Sequence, residues 1–79
     1  SIAAEFGIGN LNLVKPGVGE TTRVLLRRLP WKVLARPDRA DELAHVHHLA
    51  AERGVQVVAR RGLAFSCVGL IRPTGGSEQ

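Results

Sequence analysis

The sequence has 79 residues, of which 44% are apolar, and it carries a net charge of +4. This length excludes a second domain: we expect a single domain over residues 1–79 that buries only about 60% of its unfolded surface. The apolar fraction excludes a disordered chain. The positive charge comes from nine arginines and two lysines, and such a field favours an anionic partner because it speeds encounters with phosphates.

Cysteine content and hydropathy indicate the cellular compartment in which the protein is expected. Cys67 is the single cysteine, so an internal disulfide is impossible and a reducing compartment is favoured. No apolar run approaches the roughly 20 residues needed to span a bilayer, and no charged-then-apolar leader is visible. We therefore expect a cytoplasmic protein without membrane association.

The first half of the chain is predicted to hold one strand and one helix. The weakly patterned segment 1–7 and the Pro/Gly-containing segment 73–79 are expected to be loose ends. Leu11–Val14 is a short strand candidate. Residues 20–29 favour a helix that Pro30 would stop, since a strand would carry charge on both faces.

The second half contains the clearest helix signal, between apolar strand segments. Trp31–Ala35, Val55–Ala59 and Phe65–Ile71 are predicted strands. Asp38 is a natural N-cap for a helix over residues 39–53. The strand–helix–strand order implies a parallel crossover. The predicted fold class is α+β, an α/β-like sandwich with a three- to four-stranded mixed sheet.

A glycine-rich bend precedes the first predicted helix. Gly17 and Gly19 allow backbone N–H groups at a helix start to face a phosphate, although a plain turn and helix cap explains them equally well. The bend lacks the Gly-Lys-Ser/Thr ending of a nucleotide-binding loop. Nucleotide hydrolysis is therefore not expected.

Arginines supply the remaining binding candidates. Arg23 and Arg27 lie one turn apart on the outer face of the predicted helix, and Arg60–Arg61 form a basic turn. Trp31 has two interpretations, stacking on a base or packing in the core. An RNA recognised through its backbone, splayed bases and shape fits such a surface better than a DNA major groove.

Neither a metal centre nor a catalytic centre is expected. Asp41, His45, His48 and Glu52 share one helical stripe, but a straight helix offers only two ligands at a time, so a solvated polar face is favoured. Cys67 lies in an apolar run and is interpreted as a buried, inert thiol. We expect no cofactor and no enzymatic activity.

The stretch from Leu13 to Val58 resembles the kink-turn RNA-binding ribosomal protein family. That family runs a short strand into a Gly-x-Asn-Glu-x-x-Lys helix start, and the corresponding run here is Gly-Val-Gly-Glu-Thr-Thr-Arg over residues 17–23. The resemblance implies that Gly17, Gly19, Glu20 and Arg23 contact sheared G·A pairs and phosphates of a kinked RNA.

The chain also departs from the pattern of that family. Gly19 stands where the family has Asn, which removes a base-edge contact, and Arg23 replaces Lys. The family's first helix is missing or too short, and its final helix and recognition loop are compressed into Arg60–Phe65.

Two functions follow from the sequence. The leading hypothesis is a small non-enzymatic RNA-binding module that docks on phosphates of structured RNA. The alternative is a protein-interaction or regulatory module, self-associating or part of a larger protein, whose charge is incidental. The RNA-binding residues predicted for the first are Gly17, Gly19, Glu20, Arg23, Arg27, Arg60 and Arg61.

Overall fold

The computed structural model describes residues 1–27 and 30–72, so the predicted loose end 73–79 and the end of the predicted helix 20–29 lie outside the described residues. Within them, α-helices and a four-stranded mixed sheet form the α+β domain that the sequence predicts. The helices are α1 (Ile2–Glu5), α2 (Val18–Arg27) and α3 (Ala44–Glu52), and the strands are β1 (Val14–Pro16), β2 (Pro30–Ala35), β3 (Gln56–Ala59) and β4 (Cys67–Ile71).

The strands lie in the order β1-β4-β2-β3. Strands β2 and β3 are parallel, with Val33 opposite Val57, and α3 provides the predicted crossover between them. Strand β4 is antiparallel to both of its neighbours, β1 and β2. The ends of β1, β2 and β3 therefore lie at the same end of the sheet as the start of β4. We call it the upper end.

One face of the sheet, which we call the helical face, is covered by α2 and α3. Its core is fully buried because apolar residues of both helices recur at helical spacing and meet alternate residues of the strands. Thr21 is also fully buried; its hydroxyl donates to the carbonyl of Lys15 at 3.3 Å. The core residues include Leu25, Val33, Val46, Ala50 and Cys67.

The second face is covered by α1 and by the segment between β3 and β4. Ala3, Ile8 and Leu63 pack there against Leu34 and Leu70 of the sheet. The segment predicted to be a loose N-terminal end thus forms a short helix instead. Its first turn is capped by the Ser1 side chain, which accepts from the Ala4 N–H at 3.1 Å, and burial of Ala3 holds it on the sheet.

The starts of two elements differ from the sequence prediction by three residues or more. Residues Leu11–Leu13 form a 3₁₀ turn, and the strand predicted there begins only at Val14. The second predicted helix is present, but Pro37–Arg39 form a 3₁₀ turn and α3 begins at Ala44. The Asp38 carboxylate does not cap it because it accepts two bonds from the Arg36 guanidinium, at 3.1 and 2.7 Å.

Candidate nucleic-acid interface

A cleft of about 470 Å³ opens between α2 and the edge strand β1. Edge and helix each contribute to it: β1 supplies Lys15, and one stripe of α2 supplies most of the rest. We call this surface the basic cleft. It is lined by Lys15, Glu20, Arg23, Val24, Arg27 and Ile71.

The turn from β1 into α2 determines how these side chains meet. Gly17 has φ +95°, a backbone conformation that glycine adopts without a steric penalty. Its N–H donates to the Cys67 carbonyl at 2.8 Å, and its carbonyl accepts from the Thr21 N–H at 3.0 Å. The turn is thereby anchored to β4, and α2 starts with its polar stripe along β1.

Helical spacing explains which α2 residues face the cleft. Glu20, Arg23 and Arg27 follow at intervals of three and four, so they share one side of the helix, while Leu25 points into the core. Lys15 approaches from β1, opposite Gly69 in the register. Three cations and one carboxylate therefore surround one concave surface.

The positively charged side chains of the cleft are not engaged in ion pairs with other described residues. Among the described residues, Lys15, Arg23 and Arg27 form no ion pair. Other arginines do: Arg39 contacts Glu42 at 3.5 Å, and Arg36 pairs with Asp38 as above. The guanidinium forks of the cleft arginines can therefore receive phosphate oxygens without first breaking an internal pair.

Gly19 lies exposed in the first turn of α2. A Cβ placed on it would meet nothing within 4 Å, and its φ is not positive, so a side chain is sterically tolerated. The first N–H groups of a helix have no partner within that helix. Backbone donors thus remain at this turn, beside the carboxylate of Glu20.

The structure separates the Arg60–Arg61 turn from the other predicted site residues. The turn is at the upper end, as is Gly17, but it follows β3, at the opposite edge of the sheet from β1. The Arg60 guanidinium donates to the Glu5 carboxylate at 2.9 Å, and this hydrogen bond holds the pKa of Glu5 below its ordinary value. Arg61 is exposed.

Sequence reasoning missed that Lys15 lines this cleft. The lysine precedes the glycine-rich bend, on the wrong side for a nucleotide-binding loop. The available signal was strand alternation: Val14 packs on the second face, so the next residue of β1 faces α2. Knowing that required the sheet register, which a three-residue strand does not reveal.

The residues that the sequence analysis considered for a metal site do not point to a common centre. The His45 ring contacts the Thr22 hydroxyl at 3.3 Å, His48 pairs with Glu52 at 3.3 Å, and Asp41 precedes α3. Residues 1–27 and 30–72 contain no group of three or more side chains suited to a metal ion. Burial raises the pKa of the Cys67 thiol, so little thiolate forms near neutral pH.

No helix within the described part of the chain is both long and apolar enough to cross a membrane.

A family model described as the PELOTA RNA binding domain matches residues 1–73. One relative, described as the cysteine protease StiP of Acinetobacter baylyi, is 34% identical over 76 residues, which cover 94% of this chain and 20% of that protein. The chain thus spans about a fifth of the length of this relative. No solved structure matches this chain.

Proposed function

Because this chain belongs to the family of PELOTA RNA binding domains, we propose that it is a non-enzymatic module that binds structured RNA through the basic cleft. The observation that carries the proposal is the convergence of Lys15, Arg23 and Arg27 on one concave surface. Their charges are not compensated by ion pairs among the described residues. Such a surface fits the phosphate backbone of a folded RNA.

Each part of the cleft has a distinct task in this proposal. The planar forks of Arg23 and Arg27 each bind phosphate oxygens through two hydrogen bonds, and Lys15 adds a point charge from the strand side. Glu20, an acceptor only, selects donors such as a base amino group or a ribose 2′-hydroxyl. Phosphates position the RNA, and Glu20 contributes discrimination.

The finer proposal is recognition of a kinked RNA, as the resemblance to kink-turn-binding proteins implies. Family membership supports an RNA-binding domain without specifying that RNA shape. Two features favour the kink. The turn at Gly17 and the first turn of α2, which contains Glu20, directly follow an edge strand. Phe65 is half exposed and lies two residues before Cys67, whose carbonyl accepts from the Gly17 N–H. Arg61 and Phe65 would then act as the compressed recognition loop.

The environment of Cys67 supports a non-enzymatic role. The side chain is fully buried in the core under α2, whereas a nucleophile needs substrate access and a lowered pKa. The cysteine-protease description belongs to a relative about five times as long. We therefore assign no proteolytic step to any residue of this chain.

Fluorescence anisotropy with a labelled kinked hairpin and a plain duplex tests the proposal. We expect hairpin-selective binding that Arg23→Ala/Arg27→Ala weakens at least tenfold, with a shallower salt dependence because fewer counterions are released. Arg39→Ala/Arg53→Ala is the matched control: it removes the same charge from exposed positions outside the cleft. Equal losses in the two double variants would show that only net charge matters and would refute the cleft.

Gly19→Asn tests the kink-turn mode separately. The position has room for a side chain, and Asn restores the base-edge contact that the resemblance implies for this position. We expect at least threefold tighter binding to the kinked hairpin and unchanged binding to the duplex. Unchanged hairpin affinity, with phosphate-dependent binding intact, would reject the kink-turn mode and leave the coarser RNA-binding proposal standing.

A protein-interaction role is the second candidate function. Strand β3 has one neighbour in the described sheet, and a groove of about 280 Å³ lies beside it, lined partly by Ala35, His47 and Val57. An open edge beside an apolar groove can accept a further strand. Light scattering that showed a stable dimer, together with absent RNA binding, would favour this role over the first.

A further inference from the structure

Strand β2 carries a local irregularity at its start. Val33 and Ala35 contribute to the core of the helical face, and Leu34 to that of the second face, so alternation places Lys32 on the second face with Leu34. The pairing with β4 shifts register between Pro30 and Lys32. Such a shift breaks the alternation and redirects a side chain.

The consequence is that Trp31 and Lys32 lie together although they are consecutive in a strand. The Trp31 ring packs edge-to-face against Phe6, with centroids 5.9 Å apart and planes at 88°. The Lys32 ammonium lies 4.8 Å from the Trp31 centroid and 5.6 Å from that of Phe6. Two aromatic rings and a cation thus share one patch.

A second cation completes this patch. The Arg72 guanidinium lies 5.3 Å from the Trp31 centroid. Arg60 also lies near Phe6, at 5.9 Å, but Glu5 neutralises it. Among the described residues Lys32 and Arg72 form no ion pair. We call this surface the Trp31 cluster; it consists of Phe6, Trp31, Lys32 and Arg72.

A purely structural role explains only part of this arrangement. Cation–π contacts at exposed sites contribute about 0.5–1 kcal/mol each, which helps to hold α1 on the sheet. Part of the Trp31 surface stays accessible, and the neighbouring Arg72 is exposed. A partly open ring flanked by two uncompensated cations matches the two parts of a nucleotide, a flat base and a phosphate.

The Trp31 cluster adjoins the basic cleft around the end of β4. Ile71, the last residue of β4, lines the cleft, and the next residue, Arg72, contacts Trp31. Consecutive strand residues are about 3.3 Å apart and face opposite sides. One RNA can therefore contact both surfaces by passing around this end of the sheet.

We propose that the Trp31 cluster is a second RNA site, which takes an unpaired nucleotide segment that continues from the structured RNA in the cleft. A base stacks on Trp31, displacing the exposed guanidinium of Arg72 from the ring, and Lys32 and Arg72 contact the flanking phosphates. The continuity between the surfaces rests on the proposed function of the cleft. The stacking site itself does not.

Tryptophan fluorescence gives a local readout, because the sequence contains one Trp and no Tyr. The full chain is titrated with three RNAs: a kinked hairpin with blunt ends, the same hairpin with a five-nucleotide single-stranded extension, and the extension alone. We expect the extended hairpin to bind at least fivefold more tightly than the blunt one, since each stacked base adds affinity. The extension should quench Trp31 emission, and the blunt hairpin should not.

Variants separate this inference from the proposed function. Lys32→Ala/Arg72→Ala keeps the reporter and should abolish the advantage of the extended hairpin while leaving blunt-hairpin affinity within twofold. In Arg23→Ala/Arg27→Ala, the free extension should still quench Trp31 although hairpin binding is lost. Thermal unfolding checks that each variant is folded.

The overturning results are specific to each proposal. Equal affinity for the two hairpins, with no quenching by the extension in the wild-type protein, rejects the second site whether or not the variants fold. Quenching by the free extension without any hairpin binding would instead reject the basic cleft and retain the stacking site.

Discussion

The basic cleft and the Trp31 cluster both present uncompensated cations, but different interactions hold them in place. The cleft arginines stand on a ten-residue helix whose other side is buried against the sheet. The Trp31 cluster depends on a register shift, on a four-residue helix and on partly exposed cation–π contacts. A cation on a packed helix is preorganised, whereas surface contacts of about 1 kcal/mol allow local opening.

This difference suggests a division of labour between the two surfaces. A preorganised cleft suits a folded RNA because little ordering is needed on binding. A patch that opens locally suits a flexible strand, since Arg72 must leave the Trp31 ring before a base can stack there. Substitutions in each surface can test this contrast.

Substitution in the core below the cleft should have the largest effect on the free energy of unfolding. Leu25→Ala removes a fully buried side chain, and we expect it to lower the free energy of unfolding by about 2–5 kcal/mol. Ile8→Ala, on the second face, should cost less because α1 can adjust over the space created. Urea denaturation followed by circular dichroism measures both. If Ile8→Ala lowered the free energy of unfolding more than Leu25→Ala, the surface around Trp31, not the basic cleft, would be the more firmly held one.

Single-charge variants should separate the two surfaces by their salt dependence. We expect Arg23→Ala to weaken blunt-hairpin binding about three- to tenfold and to reduce the salt slope by roughly one unit, as for one lost phosphate contact. Lys32→Ala should change neither quantity with the blunt hairpin. Anisotropy titrations at several salt concentrations measure both, and a matching slope change in Lys32→Ala would place the blunt hairpin on both surfaces.

The Glu5–Arg60 pair should give the smallest effect, and one that depends on pH. The hydrogen bond from Arg60 lowers the pKa of Glu5, so the stabilisation is present above the ordinary Glu pKa of about 4.3. It is lost as the pH falls through the lower folded-state value. Glu5→Gln should therefore reduce stability at pH 7 and have little effect at low pH.

Asp38→Asn provides the matched control for this last prediction. Arg36 likewise lowers the pKa of Asp38, but that pair joins residues two positions apart and does not hold α1. Hydrogen exchange should accelerate in α1 only in Glu5→Gln. Acceleration in both variants would mean that α1 responds to overall stability rather than to its own ion pair.

Much of the fold could be predicted because its signals are local. Periodicity predicted α2, and apolar runs bounded by glycine, proline or charge predicted β2, β3 and β4. The start of α3 was predicted too early because Asp38 is a good N-cap by residue type. In the structure the Asp38 carboxylate accepts two hydrogen bonds from the Arg36 guanidinium. Capping preferences by residue type do not include such a competing partner.

The sequence by itself determined the side of α2 that carries Glu20, Arg23 and Arg27, because a helical repeat of 3.6 residues depends only on spacing. The tertiary structure decided what meets that side. Lys15 faces it because of the β1–β4 register, and Arg60 turns away to Glu5, 55 positions distant in the chain. Trp31 joins Lys32 because of a shift in strand pairing. Each of these depends on contacts between distant segments, about which local periodicity carries no information.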